Sequence, residues 1–178
     1  MYKDLIKQVL MDWPEKPFHI REIAKKIDIN PMTARKYLSE LKEEGFAVEI
    51  PSKLKIKDYI LNQENEYVKL EKKFYNIKKI ISSGIIDALN DSLGYPGIIL
   101  FGSMAKGEDN SDSDVDLFVY SETKKDIEVG TYEKKIKRNI QLFVMNRKDF
   151  ERNKVRNKNL MNNILNGIKI SGFVEVFK

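Results

Sequence analysis

The sequence predicts an α+β protein of two modules joined by a long helix, and three observations lead there. Residues 2–62 read as short helices separated by turn signals and closed by a two-strand hairpin. Residues 63–92 carry apolar positions at helical spacing, with no turn cluster until Asn90-Asp91-Ser92. From residue 93 onward, apolar runs of strand length alternate with turns and short helices, which predicts a small mixed β-sheet with helices packed on it. The expected boundaries are therefore 1–62, 63–92 and 93–178.

A chain of 178 residues can bury a core as one domain or as two small ones. It has no cysteine, so disulfides and thiolate metal sites are excluded. With no apolar run long enough for a bilayer and no secretory leader pattern, the expected setting is cytoplasmic, without a membrane partner. The net charge of +5 is unevenly spread. Residues 96–120 hold one basic and five acidic residues, whereas 121–178 hold fourteen basic and seven acidic ones. An acidic pocket beside a basic tail fits a metal ion together with phosphate, although a solvated surface has the same composition.

In the first module, Leu5, Ile6, Val9 and Leu10 share one helical face, and Trp13-Pro14 ends that helix. Phe18-His19-Ile20 is a short extended piece, followed by a helix over 21–27 with Ile23, Ala24 and Ile27 inward. Asn30 is placed to cap the next helix and Pro31 suits its first position. That helix is expected to run to about Glu44, burying Ala34, Tyr37, Leu38 and Leu41, and to stop at Gly45. Strands over 46–50 and 54–62 follow, joined by Pro51-Ser52-Lys53. This order resembles a winged helix-turn-helix over residues 2–62. The resemblance implies that helix 31–44 enters a DNA major groove with Thr33, Arg35, Lys36 and Ser39 as readers, and that Lys53, Lys55 and Lys57 of the wing meet phosphates. Glu40, Glu43 and Glu44 on the same helix weigh toward a protein partner instead. His19, the sole histidine, has no carboxylate at ligand spacing and is expected to be structural.

Between the modules, Val68, Leu70, Phe74, Ile77, Ile80, Ile81, Ile85, Ile86 and Leu89 predict one long helix, or two broken near Ser82-Ser83-Gly84. The second half should pack on the sheet of the second module. Residues 127–137 suit a strand or a helix equally. A strand is expected over 139–145, helices from 148 and over 159–166, and a short extended stretch within 167–173.

The second module is organised around one stretch. Ile98-Ile99-Leu100-Phe101 reads as a buried strand that ends abruptly at Gly102-Ser103. A second strand begins near Val115, and its period of two puts Asp114 and Asp116 on one face with Val115, Leu117 and Val119 on the other. Adjacent carboxylates repel unless a cation sits between them, and paired oxygens beside a turn of small residues suit Mg²⁺ carrying a polyphosphate.

Gly102-Ser103, Gly107 and Ser113-Asp114-Val115-Asp116-Leu117 resemble the motif of the nucleotidyltransferase superfamily related to DNA polymerase β, in particular its minimal branch. The resemblance implies that Gly102 lets the backbone approach a nucleoside triphosphate, that Ser103 and the following amides hold its phosphates, and that Lys106 adds a cation. It implies that Asp114 and Asp116 bind Mg²⁺ and that an acceptor hydroxyl attacks the α-phosphorus. In one place the chain departs from the family pattern: Gln141 stands where active members place a third acid on a neighbouring strand, and Glu128 and Glu133 are the nearby substitutes. Two functions are therefore expected. The first is transfer of a nucleoside monophosphate, AMP foremost, to a hydroxyl of a small molecule or partner protein. The second is transcriptional regulation, with the first module on double-stranded DNA and a catalytically impaired nucleotide-binding domain behind it.

Overall fold

A computed structural model describes residues 1–51 and 57–177. The chain divides into two compact units, Met1–Lys72 and Lys73–Lys178. Among the described residues, no helix is long and apolar enough to cross a membrane.

The first unit begins with α1 (Tyr2–Asp12), β1 (Phe18–His19), α2 (Ile20–Lys26) and α3 (Pro31–Glu43). It continues with β2 (Ala47–Pro51) and β3 (Lys57–Leu61), and the three strands form an antiparallel sheet in the order β1-β3-β2. Apolar residues one helical face apart bury the three helices together: Ile6 and Leu10 of α1, Ile23 of α2, and Ala34, Leu38 and Leu41 of α3 are fully enclosed. Asn30 caps α3 as its sequence position predicts, its Oδ1 accepting the Met32 amide at 2.8 Å. At the other end Phe46 N donates to Leu41 O at 2.8 Å and Gly45 N to Lys42 O at 3.0 Å, which satisfies the last carbonyls. Tyr37, expected inside, is only half-buried, because the enclosed stripe runs through 34, 38 and 41 and leaves 37 at its edge. His19 has a structural part, its Nδ1 accepting the Arg21 amide at the start of α2. The strand expected over 54–62 is described from Lys57 to Leu61; Lys53 and Lys55 lie outside the described residues.

Helix α4 (Glu66–Ser83) and α5 (Ile85–Leu93) are separate, so the second of the two expected arrangements holds. Gly84 between them has φ +89°, a left-handed conformation that ends one helix and opens the next. Ser83 helps, its Oγ donating to Ile80 O at 2.6 Å and accepting the Ile85 amide at 3.2 Å. The apolar pattern of α4 is only partly a core pattern. Ile80 is enclosed, yet Leu70, Phe74 and Ile81 are 46%, 64% and 48% exposed.

The second unit continues with β4 (Gly97–Phe101), α6 (Gly102–Lys106), β5 (Val115–Tyr120) and α7 (Gly130–Ile136). Then come β6 (Ile140–Met145), α8 (Arg147–Arg156), α9 (Lys158–Leu165) and β7 (Ile168–Ser171). The sheet order is β6-β5-β4-β7, with β5 and β6 parallel and the other pairs antiparallel. The undecided segment 127–137 contains helix α7, the crossover that a parallel β5–β6 pair requires. One sheet face (Ile98, Leu100, Val115, Leu117, Val119) packs with Ile80, Ile85, Leu89, Met104 and Ile136. The other (Ile99, Phe101, Phe118, Met145) packs with Phe150, Met161 and Ile164. Both faces are covered, which explains why these strands read as unbroken apolar runs.

Candidate functional site

The acidic stretch sits where β4 ends and β5 begins. Phe101, the last residue of β4, lies opposite Asp116 in the antiparallel register. The chain then turns at Gly102, whose φ of +72° is one that side chains rarely adopt. Space as well as conformation requires glycine here: a Cβ at 102 would overlap the carboxylate of Asp116. A bare backbone bend therefore presses against a carboxylate.

On the other side of β5, the parallel pairing sets Gln141 beside Asp116. Val115 N donates to Asn139 O at 2.8 Å, which fixes the start of both strands. Asp114 stands one residue before β5, and its carboxylate is held by two amides. Asn139 Nδ2 donates to Oδ1 at 3.1 Å and Gln141 Nε2 to Oδ2 at 2.5 Å. Asp116 is half-buried on the sheet face it shares with Phe118. Burial, and secondarily the charge of Asp114, push its carboxyl above the usual aspartate range. Among the described residues no cation pairs with either acid.

The remaining sequence candidates are placed less tightly. Ser103 is half-buried in the first turn of α6, and Lys106 is exposed at its end. Glu133 Oε1 is committed to the Ile140 amide at 2.9 Å, and Glu128 is exposed. In the first unit Arg35 and Lys36 are exposed on α3, while Thr33 and Ser39 are half-buried. Glu40 of that helix and Glu44, which follows its last residue, are both paired with Lys3.

Sequence reasoning passed over three residues that shape the site. Asn139 is one. The others are Asn76 and Asp109, both buried: Asn76 Nδ2 donates to Asp109 Oδ1 at 2.8 Å and to Met104 O at 3.1 Å, which ties α4 to the segment that carries α6. Asn76 stands four residues before the enclosed Ile80, and a polar residue on an apolar helical face was the available signal.

The donor set bears on Mg²⁺. Among the described residues no three acidic, histidine or cysteine side chains gather as a metal cluster. The two adjacent carboxylates are nonetheless hard-oxygen donors of the kind Mg²⁺ uses when its other ligands are water and substrate phosphate, while the Gln141 carboxamide turns its Nε2 to Asp114. On that donor chemistry the residues present fit the ion.

The family model described as "Nucleotidyltransferase domain" matches residues 82–170. No curated protein sequence matches the chain. Among solved structures, a point mutant of Lactococcus lactis ZitR is 19% identical, with 49% of this chain and 60% of that one covered and a TM-score of 0.39. The crystal structure of Pseudomonas aeruginosa HmgR is 18% identical, with 57% and 40% covered and a TM-score of 0.34. The chain thus spans less than two thirds of either protein, and scores this low establish no shared fold.

Proposed function

The chain belongs to the nucleotidyltransferase domain family, and from that premise we propose that it binds a Mg-nucleoside triphosphate at Gly102, Ser103, Asp114 and Asp116 and transfers a nucleoside monophosphate, AMP foremost, to an acceptor hydroxyl. The observation that carries this reading is the overlap between a Cβ at Gly102 and the Asp116 carboxylate. Backbone that bare, set against an acid, is suited to bringing a polyphosphate within reach of a carboxylate-bound ion.

The residues have separate tasks. Gly102 admits the phosphates, Ser103 and the amides of the bend donate to their oxygens, and Lys106 adds positive charge at their edge. Asn139 and Gln141 hold the Asp114 carboxylate in one orientation, so that it does not have to be ordered when the substrate arrives. Mg²⁺, when bound, neutralises the phosphate charge and polarises the phosphorus. The acceptor oxygen then bonds to the α-phosphorus and the α–β bridging P–O bond breaks. Pyrophosphate leaves with the electron pair, and the hydroxyl proton passes to water. Gln141, a neutral residue in the third-acid position, should make this step slower than in relatives that carry an acid there. The test is incubation with α-labelled ATP, Mg²⁺ and cell lysate. Label should move to an acceptor with the native protein and not with Asp114→Ala; no transfer from any of the four nucleotides refutes the reading.

A second reading is favoured by the first unit. Its element order, the capped α3 with exposed Arg35 and Lys36, and the antiparallel sheet support a winged helix-turn-helix that binds double-stranded DNA, with Lys57 of β3 among the phosphate contacts; Lys53 and Lys55, named for the same part from the sequence, lie outside the described residues. The pairing of Glu40 and Glu44 with Lys3 lessens the acidic objection to α3. Gel-shift assays on the upstream DNA should show binding that weakens steeply with salt and is lost in Arg35→Ala/Lys36→Ala. Binding untouched by that double substitution refutes it.

A further inference from the structure

Beside Asp114 lies a cavity of about 530 Å³, within the size range of small-molecule sites. Two short segments build it. One wall, residues 111–114, brings Asp112 and Asp114; the other, residues 130–139, brings Lys134, Lys137 and Arg138 with Glu133. Gly102, Ser103 and Asp116 do not line it. The cleft is therefore separate from the bend proposed for the nucleotide phosphates, and the two share only the Asp114 side of the acid pair.

The charges in the cleft are sorted by wall. Glu133 is engaged by the Ile140 amide, and Arg138 Nη1 reaches across to Ser111 O. Among the described residues Lys134 and Lys137 have no ion-pair partner, and both are exposed. A ligand with an anionic group toward the lysines and a hydroxyl toward Asp112 and Asp114 would satisfy both walls. A wholly neutral or wholly anionic ligand would leave one wall opposed or unused.

We propose that this cleft is the acceptor site, and that the acceptor is a hydroxyl compound carrying a phosphate or carboxylate group. This rests on the transfer reading above. The anionic group anchors on Lys134, Lys137 and Arg138, and the hydroxyl is delivered at the Asp114 edge of the nucleotide site. There its oxygen bonds to the α-phosphorus, pyrophosphate departs with the electrons of the broken α–β bond, and the proton goes to water.

The test uses the full chain, glycerol 3-phosphate and glycerol as probes followed by amide NMR, and Mg-ATP binding followed by calorimetry. Glycerol 3-phosphate should shift the amides of 111–114 and 134–139 saturably, and glycerol should not. Lys134→Ala/Lys137→Ala should weaken glycerol 3-phosphate by at least about tenfold, since even one lost charge-assisted contact is of that size, and leave Mg-ATP affinity unchanged. Absence of a saturable shift, or equal shifts with glycerol, overturns the proposal. A parallel loss of Mg-ATP affinity also overturns it, because the cleft would then belong to the donor phosphates. If glycerol 3-phosphate binds and Mg-ATP does not, the transfer reading falls and takes the acceptor role with it.

Discussion

Carboxylates are treated in two different ways in this molecule. Three acids of α3, its end and the neighbouring sheet are met by lysines: Glu40 and Glu44 by Lys3, and Glu49 by Lys42 at 2.9 Å and Lys57 at 2.8 Å. In the second unit Asp149 pairs with Lys124 at 3.1 Å and Arg152 at 2.7 Å. At the start of β5, by contrast, two acids stand side by side, and it is neutral amides that meet Asp114. The titration behaviour follows. Hydrogen bonds from Lys57 and Lys42 hold Glu49 below the usual range, whereas burial and then Asp114 push Asp116 above it. The repulsion left in this pair is free energy that a cation bound between the two carboxylates would release.

The largest test of that contrast is Gly102→Ala. A left-handed alanine costs about 1–3 kcal/mol, and its methyl would also displace Asp116. Urea unfolding should show the loss of stability, and calorimetry should show Mg-ATP binding abolished. Unchanged nucleotide affinity would mean that the bend and the acid are unrelated.

Next is Gln141→Asp, which completes a third carboxylate opposite Asp116. Divalent affinity should rise about tenfold, since ligand charge count sets it. The metal-free protein should melt earlier, and label transfer should quicken. If affinity is unmoved, Gln141 is only a strand residue.

The smallest effects separate the two kinds of acid by pH. Asp116→Asn removes a strained charge, so above neutrality the metal-free variant should be more stable by about 0.5–1 kcal/mol, discounted for partial solvent access. Because the folded pKa of Asp116 is raised, that advantage shrinks as pH falls through it and is gone below the ordinary aspartate value. Glu49→Gln should do the reverse. The stability that Glu49 contributes is present above the ordinary glutamate value and is lost as pH falls through its lowered folded pKa, so the variant is weaker at neutral pH and equal in acid. High salt should erase the Glu49 difference first. Thermal melts across pH measure both, and curves of the same sign would refute the contrast.

Much of this was legible in the sequence because local rules agreed with the fold. Asn30-Pro31 marked the start of α3, Ser82-Ser83-Gly84 offered the break after α4 as one of two readings, and the run 98–101 with Asp114 and Asp116 marked the heart of the sheet. What stayed hidden depends on chain segments meeting in space. Asn139 and Asn76 look unremarkable in sequence and acquire their parts only when β6 lies beside β5 and α4 beside α6. Leu70, Phe74 and Ile81 failed for a related reason: helical spacing says that a face is apolar and does not say what covers it. The segment 127–137 was undecidable because its period supports either structure, and the parallel pairing of β5 with β6 decides it.

The bend at Gly102 also sets two demands that ordinary mutagenesis cannot pull apart, since every L-residue brings both a strained backbone and a methyl aimed at Asp116. Mirror-image chemistry can. A D-alanine introduced there by chemical ligation is at ease at φ +72° and points its methyl to the opposite side. Such a semisynthetic protein would rigidify the turn while sparing the acid, and a binding constant equal to or better than native would assign the need for glycine to handedness and clearance alone.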